Sequence, residues 1–386
     1  MIKVLVATLR DLDDKLEKKY PGINNALQNM GYDVWYTGIR NNVIYLCNTK
    51  NMIEVGRITC AKIPVLGRVY KYQNFYNSLI KIIDLGYRFD YCYFRSTIQI
   101  GAYGKALAKL KHSGLKVIVE VPTHPCKKEY KSDKRIWRKP IYKIMEYNEE
   151  HNAEYVDLYA LMGEKDSKYL GRPAINIENG VDIEETRIRN SSSDTDSIHI
   201  IAVAKMARWH GYDRVIEGLH IYNDKGKAEK VIFHLVGPDG DGTLDEYKSL
   251  VDKYNLHENV VLEGSMFGEE LANLFDRCDV AIACLGVHRK NMKTISELKV
   301  REYMARGIPF IYSTHDYAIN PEWVYCMKVS EDEQPLDIFS VVEFAKSMKN
   351  VQGLAEQIRK DCIENMTWEG QMKLLFEYFE NIDSRK

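Results

Sequence analysis

The sequence lacks four features that would place it in a specialised class. Its eight cysteines include no C-x-x-C pair, which argues against a zinc site or a disulfide framework and favours reduced thiols. It has no run of about 18 apolar residues, so we expect no helix that spans a membrane. The formal net charge is only −1, which excludes an overall positive field for nucleic acid. The opening segment MIKVLVATLRD becomes charged too soon for a signal peptide, so we expect a cytoplasmic protein.

Apolar runs alternate with helical patterns along the whole chain. Runs such as IKVLVAT near Ile2 are typical of strands that are buried on both faces of a parallel sheet. A polar, serine-rich break at Arg187–Ser197 indicates a linker between residues 1–186 and 198–367. The pattern predicts an α/β protein of two doubly wound, Rossmann-like domains that face a central cleft.

The segment SELKVREYMARGIP, from Ser296 to Pro309, predicts the helix of a βαβ unit in the second domain. Ser296 is a suitable N-cap, but Lys299 in the first turn opposes the helix dipole. Backbone N–H groups with a lysine suit a phosphate, and Glu302 is placed to accept hydrogen bonds from a ribose. These features together indicate a nucleoside diphosphate. A surface helix with scattered charges is an equally good interpretation of this stretch alone.

Two further loops of the second domain follow predicted strands. The loop AKMARWHGYDR carries three basic side chains, Lys205, Arg208 and His210, which fit a diphosphate or form a solvated basic turn. The loop VGPDGDG contains Gly237, and its three glycines serve either a phosphate or, as we favour, a plain turn.

A third loop, EGSMFGEEL, follows the strand VVLEG. Its small residues suit a flat base stacked against the loop, and an ordinary strand-to-helix connection explains the pattern equally well. The residues assigned to this contact are Ser265, Met266 and Phe267.

The first domain offers a polar centre where the strand KVIVEVP ends. Glu120, Thr123 and His124 lie at this end, and Gly22 lies in the first loop of the domain. A histidine at such a position can move a proton or bind a hydroxyl, although a lone loop histidine more often has no such role. We assign these four residues to the binding of an acceptor, meaning a substrate that would receive a transferred group.

A basic segment, Cys126–Lys143, contains eight Lys or Arg residues with interleaved aromatic and aliphatic side chains. This composition favours contact with an anionic membrane surface. A solvated face and a nucleic-acid contact are the alternatives.

Four motifs in this order resemble those of bacterial family-4 glycosyltransferases of the GT-B fold, which build capsule, exopolysaccharide or lipopolysaccharide. The motifs are IENGVDI from Ile177, MARWHGYDRVIEGL from Met206, SELKVREYMARGIPFI from Ser296, and MTWEG around Trp368. The resemblance covers nearly the whole chain. It implies that the last helix, 368–386, joins the first domain.

The resemblance also implies roles for single residues. Glu302 would hold the donor's ribose, Lys205 stands where the family usually has an arginine on the diphosphate, and His210 stands in place of a lysine. His124 would lie near the reacting sugar. Thr294 departs from the family's usual glutamate, and Glu297 is the expected substitute.

We therefore expect a retaining hexosyltransferase that moves a sugar from a nucleotide-diphosphate donor to a saccharide acceptor, lipid-linked at the inner membrane face, without a metal or other cofactor. The expected catalytic residues are His124, Lys205 and Glu302. The expected donor site consists of Lys205, Arg208, His210, Gly237, Ser265, Met266, Phe267, Ser296, Glu297, Leu298, Lys299 and Glu302. A nucleotide-sugar 2-epimerase on the same fold, or a non-catalytic partner subunit of another transferase, are the alternative functions.

Overall fold

The computed structural model describes residues 1–14, 17–59, 64–125, 135, 138–190, 196–226 and 229–383. These residues form two compact units. The N-terminal unit comprises Met1–Glu178 and Trp368–Lys386, and the C-terminal unit comprises Asn179–Thr367. The division falls before the expected linker because the chain after Asn179 already bonds within the C-terminal unit: the amide of Arg189 donates to the carbonyl of Arg306 at 2.8 Å.

The N-terminal unit is built on a sheet in the order β4-β3-β2-β1-β5-β6-β7-β9-β8. Its strands are β1 Lys3–Asp11, β2 Asp33–Arg40, β3 Val43–Cys47, β4 Met52–Arg57, β5 Tyr91–Arg95, β6 Lys116–His124, β7 Leu158–Gly163, β8 Lys168–Tyr169 and β9 Arg172–Asn176. Its helices are α1 Lys19–Asn29, α2 Pro64–Asp84, α3 Tyr103–His112, α4 Lys139–His151 and, from the chain's end, Trp368–Asp383.

The central strands β1, β5, β6 and β7 pair in parallel, as their continuous apolar runs predict. Strand β2 follows Gly31 and pairs in parallel with β1, but the antiparallel strands β3 and β4 that continue the sheet were not predicted. Asn41 and Asn42 join β2 to β3 with φ angles of 50° and 62°, the left-handed conformation of a tight hairpin turn. The Asn-Asn pair between two β-rich runs was the sequence signal for this hairpin.

The C-terminal unit contains a fully parallel sheet in the order β12-β11-β10-β13-β14-β15, within its described residues. Its strands are β10 Ser197–Val203, β11 Lys230–Val236, β12 Val260–Gly264, β13 Val280–Ile282, β14 Phe310–Tyr312 and β15 Cys326–Lys328. Its helices are α5 Asp213–Asp224, α6 Thr243–Lys253, α7 Gly268–Arg277, α8 Leu298–Arg306, α9 Ile338–Lys349 and α10 Leu354–Asn365. The helix Trp368–Asp383 of the N-terminal unit is α11.

Helix α8 begins one residue later than expected. Its N-cap is Glu297, and Ser296 instead accepts a hydrogen bond from the amide of Asn179 at 2.8 Å. The predicted end is confirmed, since Gly307 stops the helix with a φ of 73°.

Gly22 does not lie in a loop, which corrects the expectation for this residue. It lies in the first turn of α1 and is buried. A Cβ atom at Gly22 would be only 2.5 Å from Cδ1 of Trp368, the first residue of α11. The glycine therefore allows two helices of the N-terminal unit to pack closely, and its backbone is not open to a substrate.

We predict that Gly22→Ala destabilises the protein even though alanine favours helix. The added methyl group would overlap the Trp368 indole, and overpacking of this kind costs about 1–3 kcal/mol. The measurement is the midpoint of thermal or urea unfolding, with Gln28→Ala on the same helix as the control. A variant as stable as the control would contradict this close packing.

Candidate active site

The predicted donor-site loops of the C-terminal unit all follow the carboxyl ends of parallel strands. They come after β10, β11, β12 and β13, which are neighbours in the sheet. In a parallel sheet these ends share one edge, where ligands of α/β proteins bind. The topology therefore brings the predicted loops to the same edge of the unit.

The loop after β10 presents two cations to solvent. Lys205 is exposed, and the Arg208 side chain is 71% exposed; within the described part of the chain, its ion pair is a long 3.9 Å contact to Glu246. A close approach of glycines fixes the end of the loop: a Cβ at Gly211 would lie 2.6 Å from the backbone nitrogen of Gly286. The loops after β10 and β13 thus touch through their backbones, while the two cations remain available to an anion.

His210 departs from the expectation of a basic group at this position. It is buried, and its Nδ1 accepts a hydrogen bond from the amide of Ala207 at 3.1 Å. Burial, reinforced by Lys299 and Lys290, lowers the pKa of His210 to about 2. The imidazole is therefore neutral at physiological pH, so it can offer a phosphate a hydrogen bond but no positive charge.

The loop after β11 is a structural turn, the interpretation favoured from the sequence. Gly237 has a φ of 129°, and a Cβ there would overlap the carbonyl oxygen of Ala204 at 1.8 Å. Its amide donates to the carbonyl of Gly264 at 2.6 Å, so this N–H is already occupied. Asp239 accepts hydrogen bonds from the amides of Gly242 and Leu244. The acidic groups of the loop stabilise its own backbone.

The loop after β12 has a mixed exposure that suits a stacked ring. Ser265 and Phe267 are exposed, whereas Met266 packs partly against the core of the unit. Phe267 is the N-cap residue of α7, so its backbone is held while its ring stays accessible.

Glu297 is not available to replace the family glutamate missing at Thr294. It is buried, and both of its carboxylate oxygens lie within 3.3 Å of the Cys284 amide, the nearer at 3.0 Å. Burial raises the pKa of Glu297, although the nearby Lys299 opposes this shift. The carboxylate thus connects the end of β13 to the start of α8 and serves the scaffold.

Lys299 extends this polar cluster toward the loop after β10. Its Nζ donates to the hydroxyl of Tyr212 at 3.0 Å and lies 3.3 Å from Sγ of Cys284. Burial disfavours the ammonium, but Cys284 and Glu297 raise the pKa of Lys299 above its ordinary value. A partly buried lysine therefore stays charged within the first turn of α8.

The first turn of α8 offers backbone donors next to this charge. The opening N–H groups of any helix have no acceptor within the helix, and the helix dipole favours an anion there. Leu298, the first helical residue, is exposed. One turn later Glu302 accepts a hydrogen bond from Arg306 at 2.8 Å, which holds its carboxylate in one orientation.

Arg301 has a structural role that the sequence analysis did not assign. Its side chain is fully buried and forms an ion pair with Asp316, while Nε donates to the carbonyl of Asn179 at 2.9 Å. The pairing joins α8 to the segment after β14. Its only sequence signal was a second cation at a helix start, where a cation is unfavourable.

In the N-terminal unit, Glu120 belongs to a buried polar cluster at the carboxyl end of the sheet. It accepts hydrogen bonds from Lys19 at 2.8 Å and from the hydroxyl of Tyr93 at 2.6 Å, and Arg95 lies 3.6 Å away. Burial alone would raise the pKa of Glu120, but the two cations lower it. The carboxylate is fully engaged and inaccessible, so a direct bond from Glu120 to an acceptor, as expected from the sequence, does not fit this structure.

His124 and Thr123 end β6, as predicted. His124 lies 3.1 Å from the carboxylate of Asp166, a residue that the sequence analysis did not select. Asp166 follows β7, the neighbouring strand, so only the sheet order brings the two together.

The described residues show neither a metal cluster nor a membrane-spanning helix. They contain no group of three or more His, Cys, Asp or Glu side chains that could hold a metal ion. Among their helices, none combines the length and the hydropathy that crossing a bilayer requires.

The C-terminal unit is similar to a known protein family. Residues 197–333, which carry the strand-end loops and the whole of α8, match the family model described as "Glycosyl transferases group 1". This match identifies a glycosyltransferase domain within the C-terminal unit. No curated protein matches the sequence significantly.

Solved structures with the same fold include three glycosyltransferases. Sucrose-phosphate synthase from Thermosynechococcus elongatus superposes with a TM-score of 0.68 at 14% identity, over 100% of both chains. Anabaena HepE, solved with UDP, superposes with a TM-score of 0.62 at 11% identity, over 99% of this chain and 100% of the HepE chain. WaaG, a glycosyltransferase involved in lipopolysaccharide biosynthesis, superposes with a TM-score of 0.61 at 13% identity, over 97% of this chain and 99% of the WaaG chain. These superpositions confirm the predicted GT-B fold with two Rossmann-like domains. The family match and the fold together support a nucleotide-sugar-dependent glycosyltransferase.

We predict that His210 makes this glycosyltransferase less stable in mild acid. Its pKa is about 2 in the folded protein and 6.5 when exposed. Below pH 6.5 only the unfolded chain gains a proton at this side chain, so stability is present above pH 6.5 and falls by about 1.4 kcal/mol per pH unit toward pH 2. The free energy of unfolding in urea should therefore change less between pH 7 and pH 5 for His210→Asn than for wild type. The exposed His257→Asn is the control, and equal pH dependence of both variants would refute a buried neutral His210.

Proposed function

We propose that the protein transfers a sugar from a nucleoside-diphosphate donor to a saccharide acceptor with retention of the anomeric configuration. One observation carries the proposal: the glycosyltransferase match spans Lys205, Arg208, Lys299 and Glu302, four residues selected from the sequence for donor binding. The family resemblance supports retention and a reaction without an obligatory metal.

The positive groups of the C-terminal unit would act on the leaving diphosphate. The bond between the anomeric carbon and a phosphate oxygen breaks, and the diphosphate departs with the electron pair. The acceptor oxygen bonds to the anomeric carbon and releases its proton, which the departing phosphate can accept. Lys205, Arg208 and the first turn of α8 would stabilise the negative charge that develops, and Lys299 would add a fixed charge from within the unit.

Glu302 would bind the two hydroxyls of the donor's ribose. It is oriented by Arg306, and it lies one turn beyond the helix start that would hold the phosphates. A carboxylate held in one rotamer loses little side-chain entropy when it accepts two hydroxyl donors, which favours binding. The exposed Phe267 beside the loop after β12 would cover the base.

The N-terminal unit would receive the acceptor through His124. This assignment narrows the one made from the sequence, because Gly22 and Glu120 serve packing and a buried ion pair instead. Thr123, partly buried on β6, remains in the proposed acceptor site.

A membrane-bound acceptor is supported by the described part of the basic segment. Residues 126–134, 136 and 137 lie outside the described residues. Helix α4, which follows, exposes Lys139, Lys143, Ile144 and Tyr147. Cations beside exposed apolar side chains are suited to an anionic bilayer surface, so we propose a peripheral position at the inner membrane face.

We expect Glu302→Ala and Lys205→Ala each to abolish sugar transfer, at least about 100-fold in turnover, because each removes a group that holds the donor or stabilises its departure. Turnover is measured as nucleotide release, and circular dichroism checks the fold. Glu343→Ala and Lys253→Ala, which remove the same charges from exposed positions of the C-terminal unit, are the matched controls. Wild-type turnover in either site variant would contradict its role.

A thermal-shift screen against nucleotide sugars tests donor binding directly. A ligand that binds only the native state at 100 times its Kd adds about 2.7 kcal/mol of stability. We expect one nucleotide family to raise the melting temperature of wild type and to have a much weaker effect on Glu302→Ala. If no nucleotide or nucleotide sugar stabilises the wild type, the donor assignment is wrong. Release of an epimerised sugar without any acceptor would instead select the 2-epimerase.

The membrane proposal predicts weaker vesicle binding when the basic segment is neutralised. A variant with glutamine at Lys134, Arg135, Arg138 and Lys139 should bind vesicles containing phosphatidylglycerol at least about tenfold more weakly, since each cation near the surface contributes about 1 kcal/mol. The control variant removes the same number of exposed lysines elsewhere in the N-terminal unit, at Lys3, Lys50, Lys81 and Lys105. Equal binding by the two variants, or binding that ignores salt, would rule out this surface.

A further inference from the structure

The pair formed by His124 and Asp166 has the geometry of an oriented imidazole. Nε2 of His124 lies 3.1 Å from Oδ2 of Asp166. The His124 side chain is 8% exposed, whereas that of Asp166 is 58% exposed. The carboxylate therefore reaches solvent, and the imidazole behind it is almost completely enclosed.

The other ring nitrogen of His124 is buried without a partner. Among the described residues, none donates a hydrogen bond to Nδ1 or accepts one from it. A neutral imidazole carries one N–H, and an ionised carboxylate only accepts, so Asp166 fixes that hydrogen on Nε2. Nδ1 is then a bare acceptor. An unsatisfied buried acceptor costs about 1–3 kcal/mol, and a hydroxyl donor would remove that cost.

Backbone contacts hold both members of the pair in place. The amide of Asp166 donates to Oδ1 of Asn176 at 2.9 Å, and Nδ2 of Asn176 donates to the carbonyl of Glu164 at 2.9 Å. The amide of Glu164 in turn donates to the carbonyl of His124 at 3.0 Å. These three bonds connect Asp166 through Asn176 and Glu164 to the backbone of His124. Strands β6, β7 and β9 therefore hold His124 and Asp166 close together.

A surface hollow adjoins the carboxylate. It is lined by Lys165, Asp166, Ser167, Ala174 and Asn176. Charged, hydroxyl and amide groups around an open hollow suit a ligand with many hydroxyls. The hollow lies at the carboxyl ends of β7 and β9, and ligands of α/β units bind at this edge of a parallel sheet.

We infer that Asp166 is a positioning residue of the transferase: it holds His124 as the Nε2–H tautomer, so that Nδ1 accepts a hydrogen bond from a hydroxyl of the saccharide bound at the N-terminal unit. This inference rests on the proposed function. It adds a residue that neither the family match, which covers 197–333, nor the sequence motifs include.

The tautomer can be tested without a known acceptor. In long-range ¹H–¹⁵N correlation spectra of the ¹⁵N-histidine-labelled full chain, the signals of His124 are assigned by their loss in His124→Asn. We expect the Nε2–H pattern in wild type at pH 7.5 and a mixture of tautomers in Asp166→Ala. The Nδ1–H pattern in wild type, or an unchanged pattern in Asp166→Ala, would overturn the inference.

Kinetics then separate positioning from stability. With the donor identified by the thermal-shift screen, Asp166→Asn should lower turnover at least about tenfold, since loss of an orienting carboxylate permits the wrong tautomer. Its melting temperature and its Kd for the nucleotide should match wild type. Asp166→Asn combined with His124→Asn should be no slower than His124→Asn alone, because the two act as one unit.

The matched control is Asp84→Asn, whose carboxylate is 55% exposed and pairs with Lys109 at the end of α2. Control-like turnover in Asp166→Asn, or additive losses in the double variant, would overturn the positioning role alone. Absence of turnover by wild type with every donor would overturn the proposed function, and this role with it.

Discussion

A buried ion pair between Arg301 and Asp316 fixes the place where helix α8 begins. Arg301 also donates to the carbonyl of Asn179, and Asn179 bonds to Ser296 just before the helix. Removing one member of such a pair leaves an uncompensated buried charge, which costs about 3–5 kcal/mol. The helix start, the loop after β13 and the first residues of the C-terminal unit are therefore held as one piece. The donor-binding groups that we propose depend on this arrangement.

Around that start the protein separates charges that hold the fold from charges that can meet a ligand. Glu297 and His210 are buried and serve backbone amides, and His210 is neutral. Lys205 and Arg208 remain exposed on the adjacent loop. A diphosphate binds best to cations that no carboxylate has already neutralised, and the buried Glu297 faces Lys299 rather than the exposed pair. The same logic recurs in the N-terminal unit, where Glu120 is neutralised by Lys19 while Asp166 stays accessible beside His124.

The fold was predictable because parallel strands buried on both faces leave continuous apolar runs, and those of β1, β5, β6, β7 and β10 are unmistakable. The end of α8 was predictable because Gly307 can adopt a left-handed conformation that other residues avoid. The hairpin of β2 and β3 was missed because its Asn-Asn turn is weaker than the usual glycine signal. Gly22 was misplaced because nothing local to it announces Trp368, which is distant in sequence and adjacent in space.

The sequence by itself determined the alternation of buried parallel strands with helices, the positions of the basic strand-end loops and the lysine and glutamate of α8, because hydrophobic period, caps and glycines act over a few residues. Only the tertiary structure decided which of those polar groups face solvent. Burial turned His210 into a neutral hydrogen-bonding group and Glu297 into a scaffold residue, and the order of β6 and β7 in the sheet brought Asp166 to His124. Desolvation and pairing between distant segments set the charge and the solvent accessibility of a side chain, and neither can be inferred from the residues next to it in the sequence.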